Sequence, residues 1–141
     1  MPLPPNPIRI RSLADGRAAL AVARELGCPL VLVSDPGAAG FAGPGWWAAL
    51  ESALDTAADG HPLVALLDCA DNPGHVLAAI RAGVRDIAFA GPADVGARLA
   101  DIAAQAGSRL HPPVAGALDL RGGASPAALR AWLARPAPPK D

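Results

Sequence analysis

The chain contains no tyrosine, a single methionine, and one lysine (Lys140) against eleven arginines. Aromatic residues make up only 4% of it, so a core must be built mostly from aliphatic side chains. The two cysteines, Cys28 and Cys69, match no spacing of a zinc site or a dithiol redox centre. No apolar run approaches the roughly 18 residues of a membrane-spanning helix. The opening Met1-Pro-Leu-Pro-Pro-Asn-Pro7 has no basic stretch followed by an apolar one. It is therefore not read as a signal peptide, and a cytoplasmic location is expected. There is no Lys/Arg-rich run and the net charge is −1, which argues against electrostatic binding of nucleic acid. Neither a nucleic-acid nor a membrane partner is expected.

What is present is the composition of a folded domain. Hydrophobic residues at 52% with charged residues at 18% exclude disorder. A length of 141 residues suits one domain, which buries roughly 70% of its unfolded surface. The Ala-, Arg-, Gly- and Pro-heavy usage resembles that of a GC-rich bacterial genome.

The pattern is clearest between His61 and Gly107. Pro62-Leu-Val-Ala-Leu-Leu-Asp68 is a short, nearly continuous apolar run, and residues 73–82 have a helical pattern that stops at Gly83. Asp86-Ile-Ala-Phe-Ala-Gly91 is a second apolar run, followed by a second helix over 92–106 that Gly107 ends. Buried parallel strands read this way because helices cover the sheet.

The flanking segments follow the same plan. Four prolines in residues 1–7 predict an extended, mobile leader. Ile8-Arg-Ile-Arg-Ser12 alternates apolar and charged residues, as a half-exposed edge strand does. Ser12 followed by Asp15 resembles a capping box with a shorter acid, opening a helix over 13–26 that Gly27 ends. Pro29-Leu-Val-Leu-Val-Ser34 is a strand apolar on both faces. The breakers Pro36, Gly37, Gly40, Gly43, Pro44 and Gly45 predict a loop over 35–45 with no element inside it. A helix over 46–58 stops at Asp59-Gly60. Farther on, Ser108–His111 and Val114–Leu120 compete for the place of the last strand. Ser125-Pro126 then pairs an N-cap with a first-turn proline, opening a helix to about Ala134, and residues 136–141 form a Pro-rich tail.

Gly27, Gly83 and Gly107, with Gly60 as a looser fourth, each end a helix and lead into a strand two or three residues later. Right-handed strand–helix–strand crossovers turn repeated units of this kind into a parallel sheet. The expected architecture is one α/β domain over residues 8–135, with about five parallel strands and helices on both faces. Half of a (βα)8 barrel is the rival.

Residues 61–110 run strand, helix, Ala-Gly-Val-Arg-Asp-Ile, strand, proline, helix. This outline resembles the last part of a response-regulator receiver domain, which has a flavodoxin-like fold. On that resemblance, Leu-Val-Ser-Asp35-Pro-Gly is similar to the strand that ends in the phosphoacceptor aspartate. The family's acidic pair is replaced here by Arg9, Arg11 and Ser12, and its lysine by Gly91. Too few residues precede Asp35 for the two βα units a receiver has there. The resemblance thus implies a fold without the phosphoryl-transfer machinery. The Ala- and Gly-rich look is also similar to that of a family of short bacterial proteins of unknown function, which implies no mechanism.

In a parallel sheet, chemistry sits where loops leave the carboxyl ends of the strands. Those ends carry Ser34 and Asp35, Asp68 and Cys69, and Gly91 and Pro92. His111 or Asp119 joins them, depending on which run is the last strand. On neighbouring strands about 5 Å apart, Asp35 and Asp68 either share a Mg²⁺ or a proton, or each caps a nearby amide. Gly37, Gly40, Gly43 and Gly45 precede a helix and free backbone N–H groups for an anion or phosphate. Alternatively they form a structural loop folded over its own helix with Phe41 and the tryptophans. His75, in a helix first turn opened by Asn72, is a candidate general base or an exposed helix-start histidine. Cys69 is a nucleophile if its pKa is lowered and otherwise a small buried hydrophobe. His61 lies at the opposite end of its strand, and Trp46, Trp47 and Trp132 are read as core or interface residues. No metal-ligating cluster is read, and no cofactor is implied.

Two function classes follow. One is a small binding or regulatory module without phosphoryl-transfer machinery. The other is a small enzyme acting on a phosphorylated or anionic metabolite through Asp35, Asp68, Cys69 and His75, with Gly91 beside the ligand. The adjacent tryptophans suggest a homodimer. Cys28 and Cys69 fall at opposite ends of parallel strands, too far apart for a disulfide. Cys69, at the crevice, is expected to be the more reactive thiol.

Overall fold

The structure is a computed structural model that describes residues 3–121, 123 and 125–137. Residues 1–2 of the leader and 138–141 of the expected tail lie outside the described residues. In chain order the elements are β1 (Ile8–Arg9), α1 (Leu13–Leu26), β2 (Leu30–Val33), α2 (Ala38–Phe41), α3 (Pro44–Ala58) and β3 (Leu63–Asp68). They continue with α4 (Pro73–Ala82), β4 (Asp86–Ala88), α5 (Ala93–Gln105), β5 (Arg109–His111), β6 (Leu118–Asp119) and α6 (Pro126–Leu133).

The helix ends follow their local chemistry. Ser12 Oγ accepts from Asp15 N at 3.1 Å, and the Asp15 carboxylate accepts from Arg11 N at 3.0 Å, one residue before the cap. Asn72 and Ser125 cap α4 and α6 in the same way. Gly27 and Gly83 close α1 and α4 with φ of 66° and 87°, a region where a side chain would clash.

Six strands pair in parallel in the order β5-β4-β3-β2-β1-β6. The parallel α/β build is as expected, with one strand more. The strands β1 to β5 advance one place at a time, whereas the flavodoxin-like order 2-1-3-4-5 reverses after its first strand. Right-handed crossovers that all step in one direction lay their helices on one side of the sheet. The packing agrees: α6 lies on α1, α1 on α3, α3 on α4 and α4 on α5, in one continuous layer. Ile8, Leu30, Leu32, Ala65, Leu67 and Ile87 face that layer and pack with Trp47, Leu54, Val76 and Leu129. The opposite face, Val31, Val33, Leu66 and Ala88, is covered by Leu3, Val114 and Ala117 rather than by a helix. The expectation of helices on both faces is corrected accordingly. Sequential strands with a single helix layer are the layout of the rival, part of a (βα)8 barrel.

Four other expectations change, the last being that of a mobile leader. The first strand is not an edge strand: β1 lies between β2 and β6, because residues 118–119 return to pair with it. The two runs proposed as the last strand both form strands, on opposite edges of the sheet. The glycine loop does contain an element, α2, since Gly37 and Gly43 turn the chain at its ends while Ala38 and Ala39 bury against the core. Over residues 3–7 the leader is docked. Asn6 Nδ2 donates to Arg135 O at 2.8 Å, and Pro7 O accepts from Leu118 N at 2.9 Å and Trp132 Nε1 at 3.0 Å. No helix among the described residues is long and apolar enough to cross a membrane.

Candidate functional site

The carboxyl ends of β6, β1, β2 and β3 lie side by side, so the loops leaving them share one edge of the sheet. Arg11, two residues past β1, stands at the centre of that edge. Its guanidinium grips Asp35 with two bonds, Nε to Oδ2 at 2.8 Å and Nη2 to Oδ1 at 2.7 Å. It grips Asp119 of β6 with two more, Nη1 to Oδ1 at 2.7 Å and Nη2 to Oδ2 at 3.0 Å. Paired bonds of this fork-to-carboxylate kind are strong and directional. Asp119 is held well below the usual carboxylate range, first by Arg11 and then by the backbone N–H of Arg121. Arg11 is raised in turn by Asp119 and Asp35.

Asp68 faces other partners. One carboxylate oxygen accepts from Gly37 N at 2.9 Å and from Ala70 N at 2.8 Å, pinning the start of α2 to the turn after β3. Ala70 stands in that turn at φ 50°, an unfavourable conformation for a residue with a Cβ, and the Asp68 bond holds it there. Ser34 Oγ accepts from Asp68 N at 2.9 Å and donates to Asp35 O at 3.0 Å, stitching β2 to β3. Thus Asp35 and Asp68 leave neighbouring strands but bind different groups, Asp35 an arginine and Asp68 two backbone amides. Among the described residues no group of three or more His, Cys, Asp or Glu is placed to hold a metal ion.

Cys69 follows Asp68 but turns toward the helix layer, in line with Ala65 and Leu67, and is fully buried. Burial, with a smaller contribution from Asp68, pushes its thiol up to about 12. Cys28 is half-buried, and both thiols are free. Exposure therefore runs opposite to the expectation that Cys69 is the more accessible, because the residue after β3 still alternates into the core. His75 is half-exposed at the start of α4, its backbone N capped by Asn72 Oδ1 at 3.2 Å. Its ring lies over Gly40, where an added Cβ would come within 2.8 Å of Cε1.

The chain matches no protein-family model, and a search of curated proteins finds no match. The site must therefore be read from its geometry alone.

The remaining glycines divide by role. Gly37 supplies the N–H that Asp68 binds, Gly43 caps α3 at φ 89°, and Gly45 stands in open space. At Gly91 a Cβ would collide with the Phe89 ring, so that glycine admits an aromatic core residue. Phe41 is 72% exposed and Trp46 lies partly open beside the loop, whereas Trp47 is fully buried. His61, at the amino end, bonds Cys28 O at 2.8 Å through Nε2.

Arg11 is the residue that sequence reasoning missed. It appeared only as a departure from the receiver pattern, because β1 was placed at an edge. The available signal was the Ile-Arg-Ile-Arg alternation, which sends Arg9 and Arg11 to the face opposite Ile8 and Ile10. A second missed group is the ion cluster of Asp86, Arg109 and His111 on β4 and β5.

Proposed function

We propose that this chain is a small α/β binding or regulatory module without phosphoryl-transfer machinery, using its carboxyl edge as a rigid polar platform. One observation carries the reading: the carboxylates of this edge are already bonded within the protein. Arg11 uses four donor contacts on Asp35 and Asp119, and Asp68 is bonded to two backbone amides. A phosphoacceptor carboxylate needs a cation site and an open line of attack, and the bidentate Arg11 occupies that side of Asp35. Incubation with acetyl phosphate and Mg²⁺ is expected to leave the intact mass unchanged. A phosphorylated Asp35 would overturn the reading. The module's ligand is expected to be a small anion at the glycine loop, detected as a rise in melting temperature with inorganic phosphate or a nucleotide.

The second reading, a small enzyme acting on a phosphorylated or anionic metabolite, is favoured by His75, which lies half-exposed over Gly40 with no ion-pair partner among the described residues. Turnover of p-nitrophenyl phosphate that His75→Ala abolishes would establish it. The proposed assembly is a homodimer through the open Phe41 and Trp46 side chains. Light scattering at micromolar concentration should then give twice the 14.1 kDa chain mass, and Phe41→Ser should halve that value.

A further inference from the structure

The helix-free face of the sheet carries a charged cluster on β4 and β5. Asp86, on β4, has a side chain only 4% exposed, yet two cationic side chains reach it. His111 Nε2 lies 2.8 Å from Oδ1, Arg109 Nε lies 2.9 Å from the same oxygen, and Arg109 Nη2 donates to Oδ2 at 3.2 Å. Burial alone would push this carboxyl up, but the bonds from His111 and Arg109 hold it below its ordinary value, so it is ionised. An ionised Asp86 accepts only. It therefore fixes the hydrogen of His111 on Nε2 and leaves Nδ1 as the ring nitrogen open to a ligand. Among the described residues nothing bonds Nδ1.

Arg109 and His111 border a cavity of about 230 Å³. Its other walls are apolar: Pro29, Pro62, Leu63 and Val64 from the amino ends of β2 and β3, with Leu3 of the leader as a cover. The volume is below that of a drug-sized site, roughly 300 Å³ and upward. Among the described residues, the only charged groups at this cavity are Arg109 and His111, with Asp86 behind them. With Nδ1 protonated, the three carry one net positive charge, which a monoanion balances and a phosphate dianion does not.

We propose that this cavity binds a small monocarboxylic acid with an apolar body, its carboxylate held by His111 and Arg109. The carboxylate oxygens only accept hydrogen bonds, so His111 must present N–H at Nδ1. In the bound state the imidazole carries hydrogen on both nitrogens, Nδ1 toward the ligand and Nε2 toward Asp86. The site lies apart from the carboxyl edge and does not depend on how that edge is read.

Benzoate is the probe, with benzyl alcohol as its uncharged counterpart. Titration of the full chain with benzoate, followed by imidazole nitrogen spectra, is expected to shift His111 saturably, with a dissociation constant on the order of 1 mM or below. The Leu63 and Val64 methyl groups should move with it. Benzyl alcohol should not produce the His111 shift. His111→Gln keeps an N–H for Asp86 and should retain the fold while weakening benzoate at least about tenfold. Arg109→Gln should weaken it independently. The proposal is overturned if benzoate leaves His111 unmoved at about 10 mM, or if folded His111→Gln binds it as well as the parent.

Discussion

Two thiols that look alike in the sequence meet different surroundings in the fold. Cys69 is fully buried with its pKa raised to about 12, whereas Cys28 is half-buried at the amino end of β2. Thiolate is the reactive form, so Cys28 should be alkylated by iodoacetamide well before Cys69 under native conditions. Peptide mass spectrometry reads the order, and faster labelling of Cys69 would contradict its burial. Glu51 of α3 offers a pH signature. Its side chain is 5% exposed, Oε1 takes Arg85 at 3.3 Å, and Oε2 has no partner among the described residues. Burial raises its pKa above the ordinary 4.5, with Arg85 opposing. A carboxyl raised on folding favours the native state below the unfolded value, and that advantage is lost as pH rises through the folded value. Glu51→Gln does not titrate, so its stability relative to the parent should increase as pH rises above the ordinary carboxyl value of 4.5. Urea unfolding across that range is the check, and a constant difference would reject the account. The sequence left Cys69 open between a crevice nucleophile and a small buried hydrophobe, because a residue at a strand end reads the same whether its side chain turns to solvent or to the core; the fold shows the second.

At the scale of elements, local chemistry was a good guide wherever the cause was local. Ser12, Asn72 and Ser125 cap the helices expected of them, and Gly27 and Gly83 end theirs. The reading erred where a distant partner decides: α2 persists because Ala38 and Ala39 find the core, and β6 forms because Ile8 and Arg9 offer it an edge. The carboxyl edge shows the same division. Asp35 and Asp68 were identifiable as strand-end acids, but the Arg11 that grips Asp35 and Asp119 is placed by β1 lying between β2 and β6. This joint makes a prediction at its own scale. Arg11 ties β1, β2 and β6 together, and Arg11→Met would leave Asp35 and Asp119 without their shared cation. All three side chains are partly exposed, so the expected loss is modest, about 1 kcal/mol. Measured by chemical denaturation, the loss should shrink in about 1 M salt, where the Debye length is roughly 3 Å. A loss that ignores salt would mean that Arg11 acts through packing instead.

For the whole molecule, the sequence distinguished a parallel sheet from every other class but not which face the helices cover. Val31 and Val33 are as apolar as Leu30 and Leu32, and a run apolar on both faces requires two covers without saying what they are. Here one cover is the helix layer and the other is the leader with residues 114 and 117. Leu3 is the leader side chain that packs on the helix-free core. Pro4, Pro5 and Pro7 restrict the backbone of that segment, which limits the entropy lost when it docks. The leader is therefore a structural part of the sheet, and a test follows from its burial. Leu3→Ala would strip apolar cover from the cluster of Val31, Val33 and Leu66. Because Leu3 is only partly buried, the expected cost is about 1–2 kcal/mol, below that of a fully buried leucine. Leu3→Met, which keeps the apolar volume, should cost less than half as much. Denaturant unfolding compares the two. If both substitutions leave the midpoint where it was, the leader does not cover the sheet in solution, and the apolar face must be closed by something else.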